Sequence, residues 1–180
     1  MHTRLFATIL AAALTAPLAG IAQGGPGGAR PLSAGGGHYL ITLASGTFEV
    51  QFGFSAIVHR NGRATGQFHH VGEVPGGPVE FHGEVTCLAV DEALGRAWIG
   101  GVITVNRSEN PIYQTDAHQP GHDIWFRVLD AGDGGSGLPD RTTFVGFEMP
   151  AIPSSEAYCR DRPWRDDNIW AVTGNLTVRP

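Results

Sequence analysis

Lysine is absent from the whole chain, so the 12 basic residues are all arginine. Without lysine there is no Schiff-base nucleophile. The arginines are scattered against 17 Asp plus Glu, and the formal net charge is −5. A mildly acidic chain with no basic cluster lacks the concentrated cations that nucleic acid or an anionic membrane surface would need as a partner. Sequence motifs that fix an active site are missing as well. There is no GxSxG, no HExxH and no P-loop, and Ser136 in Gly134-Gly135-Ser136-Gly137 has no nucleophile-elbow context. Gly132, Gly134 and Gly137 match GxGxxG, but Leu138-Pro139 follows where a helix should open, so no dinucleotide cofactor is implied. No cofactor of any other kind is indicated. No apolar run reaches the roughly 20 residues that span a bilayer.

What the chain does have begins at its N-terminus. Met1-His2-Thr3-Arg4 carries one firm positive charge, Leu5 to Leu18 is an uncharged and mostly apolar run, and Gly20-Ile21-Ala22 supplies small residues. That is the pattern of a secretory signal peptide over residues 1–22, cleaved after Ala22. No cysteine follows the cleavage point to take a lipid anchor, so the address is secreted or periplasmic. Loss of Arg4 leaves 11 arginines against 17 carboxylates, or −6, on a mature chain from Gln23. Residues 23–37 are Gly/Pro-rich and read as a flexible leader. Residues 38–180 then form a single domain, long enough to bury a core.

Cysteine is scarce, with only Cys87 and Cys159. In an exported protein a pair most simply means a disulfide. Two buried thiols or a metal-binding pair are the alternatives, and two isolated Cys without a CxxC are poor evidence of a metal site.

The apolar residues recur with period two. Phe48, Val50, Phe52, Phe54, Ala56 and Val58 alternate along one long strand, followed by the hairpin signal Asn61-Gly62. Val79, Phe81, Gly83, Val85 and Cys87 alternate after the turn Pro75-Gly76-Gly77-Pro78, and Leu88 and Val90 then shift phase, which predicts a bulge near Cys87. Further strands read over Arg63 to Val71, Arg96 to Val105, Asp123 to Asp130, Thr142 to Glu148 and Trp170 to Val178, with His38 to Leu43 as the first. The stretch from Pro150 to Asp167 reads as irregular. About eight strands without a convincing amphipathic helix predict an all-β fold. The choice is an antiparallel barrel of about eight strands, with a β-sandwich as the alternative.

Three groups of residues are candidates for chemistry. With the third hairpin turn centred near Gly76, His70 falls opposite His82 on one strand face, with Glu84 beside it. Directly opposed side chains lie about 5 Å apart. Two imidazoles and a carboxylate so placed suit acid/base work or a metal ion. The competing reading puts His70, His82, Glu80 and Glu84 on a solvated face, and a one-residue slip would part the two histidines. Asp130, Asp133 and Asp140 are the second group, oxygen ligands for a hard cation, although EF-hand spacing is missing and a Gly/Asp loop explains them equally. His118 and His122 sit in a third polar cluster, where Pro120 and Gly121 keep them off a shared helix face.

A set of short segments follows in order: Gly35-Gly36-Gly37-His38, Phe52-Gly53-Phe54-Ser55-Ala56, Gly66-Gln67-Phe68, Phe81-His82-Gly83-Glu84-Val85-Thr86-Cys87-Leu88, Ile99-Gly100-Gly101-Val102, Phe126-Arg127-Val128-Leu129-Asp130-Ala131-Gly132 and Gly174-Asn175-Leu176-Thr177-Val178. In these the chain resembles a family of exported bacterial β-rich proteins, similar to the domain that follows choice-of-anchor modules at cell surfaces. The resemblance implies an exported all-β domain and supplies no catalytic residues. It leaves three functional expectations. The first is a non-catalytic binding or structural module whose partner is a small ligand or a cell-surface component. The second is a small-barrel enzyme (isomerase, cyclase or hydrolase) using His70, His82 and Glu84. The third is a metal-binding protein.

Overall fold

The structure, a computed structural model, describes residues 30–132 and 137–180. The signal peptide expected over residues 1–22 lies outside them. Nine strands form one antiparallel sheet: β1 (Leu32–Leu43), β2 (Gly46–Val58), β3 (Ala64–Val74), β4 (Gly77–Asp91), β5 (Arg96–Asn106), β6 (Asp123–Leu129), β7 (Arg141–Thr142), β8 (Gly146–Phe147) and β9 (Trp170–Arg179). Consecutive strands pair from β1 round to β7, and β9 closes the ring by pairing with both β7 and β1. The result is a closed eight-stranded barrel, with β8 as an extra strand on β6. The barrel expectation holds and the sandwich alternative does not.

The period-two pattern builds the core. Val50, Phe52, Phe54 and Ala56 of β2 point inward, and meet Phe68 of β3, Val79, Phe81 and Val85 of β4, Ile99 and Ile103 of β5, and Ile124, Phe126 and Val128 of β6. Each such side chain contributes roughly 1.5–3 kcal/mol by leaving water. In β4, Val85 pairs with Gly101 and Cys87 with Gly100, so Thr86 is an extra residue and a bulge. The phase shift therefore turns Leu88 and Val90 inward against the core, while Cys87 and Ala89 face out.

That outward face carries a second, smaller core. Ala89, Trp98 and Trp125 on the barrel pack against Tyr158 and Cys159 of α1 (Ser155–Asp161). The disulfide Cys87–Cys159 joins the two layers across a sequence separation of 72. Among the described residues no helix is long and apolar enough to cross a membrane.

Two expectations are corrected. The leader does not extend to residue 37, because β1 begins at Leu32 and its glycines pair on both sides, Gly37 with Phe52 and with Gly174. A Cβ on Gly37 would lie 2.3 Å from Thr173 O, so glycine here serves the close approach of three strands rather than flexibility. The stretch Pro150 to Asp167 is not wholly irregular either. Ser154 caps α1 by accepting the Ala157 N–H at 3.1 Å, and the seven-residue helix is too short to show a 3.6-residue period.

Candidate functional site

The acid/base constellation of His70, His82 and Glu84 is not assembled. Val74 pairs with Gly77, so only Pro75 and Gly76 form the turn, one residue fewer than a turn centred on Gly76 requires. His82 consequently faces His69, and His70 faces Phe81. This one-residue slip sends His70 into the core, fully buried, and leaves His82 outside. The His69 and His82 rings lie 6.0 Å apart on the outer face. His82 Nε2 is 3.0 Å from Glu80 Oε1, which also accepts from Arg107 Nη1 at 3.1 Å. The His82 hydrogen bond, aided by Arg107, holds the Glu80 carboxyl below its ordinary range. Burial, with a contribution from nearby His82, lowers His69. Glu84 is exposed and pairs across strands with Gln67 and Val102.

The aspartates of the calcium-like loop serve the barrel seam. Asp140 Oδ1 accepts from Ala131 N at 2.9 Å and Oδ2 from Leu176 N at 2.7 Å. Asp130 accepts from Gly132 N at 2.8 Å and from Val178 N at 2.9 Å. Because β7 has only two residues, these carboxylates take over the N–H groups that β9 would otherwise present to an absent neighbour. Asp133 lies outside the described residues. Among the described residues no three His, Cys, Asp or Glu side chains gather as a metal site. His118 packs on Phe147 at 4.3 Å, and His122 Nδ1 lies 3.4 Å from Glu148 Oε1. The two do not converge on a common point with other ligating groups.

A concavity lined by aromatic side chains lies elsewhere. A strand was expected from Thr142 to Glu148, but it is broken: β7 and β8 both pair with β6, and the register slips by one residue between Thr142, opposite Val128, and Gly146, opposite Trp125. Such bulges re-aim side chains and interrupt pairing. Beside this break lies a groove of about 420 Å³, lined by Trp125, Phe144, Tyr158 and Trp170 with Arg127, Asp167 and their neighbours. Its outer wall is the chain around α1, which is tied to the barrel at several points. Among these ties are the disulfide, Ser155 Oγ donating to Asp123 Oδ1 at 2.6 Å, Trp98 Nε1 donating to Pro163 O at 2.8 Å, and Arg127 Nη2 donating to Arg165 O at 2.8 Å. Trp125 and Tyr158 stack at 5.4 Å inside it. Among the described residues, the non-glycine residues with positive φ are Arg162 (48°) and Asn168 (55°), both in this wall. Left-handed backbone at a residue with a Cβ costs about 1 kcal/mol and persists where surrounding structure enforces it.

The floor of the groove is a thin aromatic partition. Phe144 stands edge-on to His70 at 6.2 Å, and Trp170 stacks on Tyr39 at 5.8 Å. Behind it, neither ring nitrogen of His70 nor the Tyr39 hydroxyl has a hydrogen-bond partner in the protein, although both residues are buried. Both rings pack on Phe52, each at 5.6 Å. Burial drives the His70 pKa down to about 3, so the imidazole is neutral at physiological pH. Burial also raises Tyr39 well above the usual phenol value, with Tyr113 adding to the shift. The arrangement can hold an uncharged polar group. It cannot supply an imidazolium as general acid near pH 7.

Sequence reasoning singled out His70 but missed Tyr39, Phe144 and Trp170, whose relation depends on pairings between distant strands. The local signal available was Phe144, which breaks the alternation of Thr142 to Glu148. No family model, curated protein or solved structure matches the chain.

Proposed function

We propose that this protein is an exported bacterial binding module, delivered by its N-terminal signal to the periplasm or the exterior. In this reading it is non-catalytic, and it holds a small, largely apolar ligand in the groove beside the β7–β8 break. The observation that carries the reading is the groove itself: four aromatic side chains around about 420 Å³, at the place where strand pairing fails. Pockets of this kind, mostly apolar with a few polar groups, are the usual form of a small-molecule site. The disulfide supports an oxidising address. Separation of His70 from His82 and Glu84 favours binding over acid/base catalysis.

Ethylbenzene, a neutral aromatic probe, tests the groove in ¹⁵N-labelled protein. The indole N–H signals of Trp125 and Trp170 should shift on titration while the backbone amide of Gly62, in the β2–β3 turn and outside the groove lining, stays in place. Equal shifts at Gly62, or none at Trp125 and Trp170, would count against the groove. N-terminal sequencing of the exported protein tests the address, with Gln23 expected as the first residue.

A further inference from the structure

We propose that the groove continues inward past Phe144 and Trp170 to a subsite formed by His70 and Tyr39, and that its ligand is a flat, uncharged molecule carrying a carbonyl or hydroxyl oxygen at the end that enters the barrel. The proposal rests on the groove reading above and specifies its ligand.

The first support is the pair of orphaned polar groups. A buried donor or acceptor without a partner costs about 1–3 kcal/mol, and native cores leave few of them. Here two such side chains, His70 at 0% and Tyr39 at 1% exposure, pack against one ring, Phe52. The Phe126 ring 5.0 Å from His70 and the Phe144 ring 6.2 Å away carry no hydrogen-bonding group, and contacts with an aromatic ring are weak substitutes. The second support is position. Each orphaned residue has an aromatic neighbour that also lines the groove, Phe144 for His70 and Trp170 for Tyr39. The third is the local backbone. Phe144 sits in the register slip between β7 and β8, outside regular strand pairing, so its ring can swing without breaking a ladder.

Chemistry narrows the ligand. A neutral imidazole offers one N–H and one acceptor nitrogen, and the tyrosine offers one O–H. A carbonyl or hydroxyl oxygen can satisfy either. A carboxylate or ammonium would have to shed its water with no opposite charge among these residues, which is prohibitive. The body of the ligand must be flat and apolar to pass between Phe144 and Trp170 and remain against Trp125 and Tyr158.

Acetophenone and ethylbenzene differ by one carbonyl oxygen and test the idea as a pair, with benzoate as the charged comparison. Affinities come from calorimetry, and the His70 ring nitrogens are followed by long-range ¹H–¹⁵N spectra. Acetophenone should bind about tenfold more tightly than ethylbenzene, the worth of one buried hydrogen bond. It should also shift the His70 nitrogens. His70→Phe should abolish the difference between the two probes, Tyr39→Phe should reduce it, and Phe144→Ala should speed association. Equal affinities, with the His70 nitrogens unmoved while Trp125 and Trp170 shift, would overturn the inner subsite and leave the groove. Tighter binding of benzoate would also overturn it, pointing to Arg127 instead. Silence at Trp125, Trp170 and His70 alike would remove both the subsite and the groove.

Discussion

A buried, neutral, unpartnered histidine has a consequence for stability at the scale of a single residue. The His70 pKa falls from about 6.5 in the unfolded chain to about 3 in the folded protein. Between those values the unfolded state binds a proton that the folded state refuses. Stability from this group is therefore complete above the unfolded pKa and is lost as pH falls toward 3, at up to about 1.4 kcal/mol per pH unit. His69 and His118 are lowered too, in the same direction, but both are partly exposed and add less. Urea midpoints at pH 7, 5 and 4 should fall steeply in the wild type and much less in His70→Phe. At pH 7 the variant should be more stable by about 1 kcal/mol, since the aromatic ring fills similar space without an orphaned polar group. A variant with an unchanged pH slope would show that His70 is not the group responsible. The sequence showed that this region held histidines on adjacent strands. It could not show which one entered the core, because that depends on whether the turn has two residues or three, and Pro75-Gly76-Gly77-Pro78 is compatible with both.

At the scale of elements, two short pieces carry weight out of proportion to their length. The two-residue strand β7 closes the barrel only with help from Asp140, whose two oxygens accept from Ala131 N and Leu176 N. Asp140→Asn would turn an amide NH₂ toward one of those N–H donors. The expected loss is about 1–3 kcal/mol, read as a lower urea midpoint, and Asp140→Glu would not restore the geometry. A neutral effect would mean that the seam is held by the ladder alone. The helix α1 is the second piece. It and the groove wall depend on the disulfide, and Cys87→Ser with Cys159→Ser should cost about 2–4 kcal/mol. The loss should show first as a red shift in tryptophan emission, since Trp98 of the barrel and Trp164 of the wall pack in a T-shaped pair at 5.7 Å. The long strands were legible because their inner faces alternate over ten or more residues. The break that splits the expected strand Thr142 to Glu148 into β7 and β8 was not, because two-residue pieces show no period, and neither was α1, because seven residues show barely two turns.

The molecule as a whole is a ring, and a ring fails if one seam opens. Closure rests on β1, which pairs with β2 along its length and with β9 from Leu32–Arg179 to Tyr39–Val172. Composition marks residues 32–37 as dispensable leader, because Ser, Ala and three glycines carry no apolar pattern. Their role lies in the backbone, which leaves no trace in hydropathy: Gly35, Gly36 and Gly37 let β1 sit close between two neighbours. Two truncations separate the readings. Removal of residues 1–29 should leave a cooperative unfolding transition at the position of the mature protein. Removal of residues 1–37 would take six of the eight β1–β9 pairs and leave only His38–Thr173 and Tyr39–Val172. The exposed edges of β2 and β9 would then be unpaired, a state prone to association through open strands. This second protein should lose the sharp transition or aggregate on expression, by circular dichroism and size-exclusion chromatography. If it instead unfolded at the same midpoint as the first, closure through β1 would not be what holds the barrel together, and the β5–β6 and β7–β9 pairings would have to bear the fold.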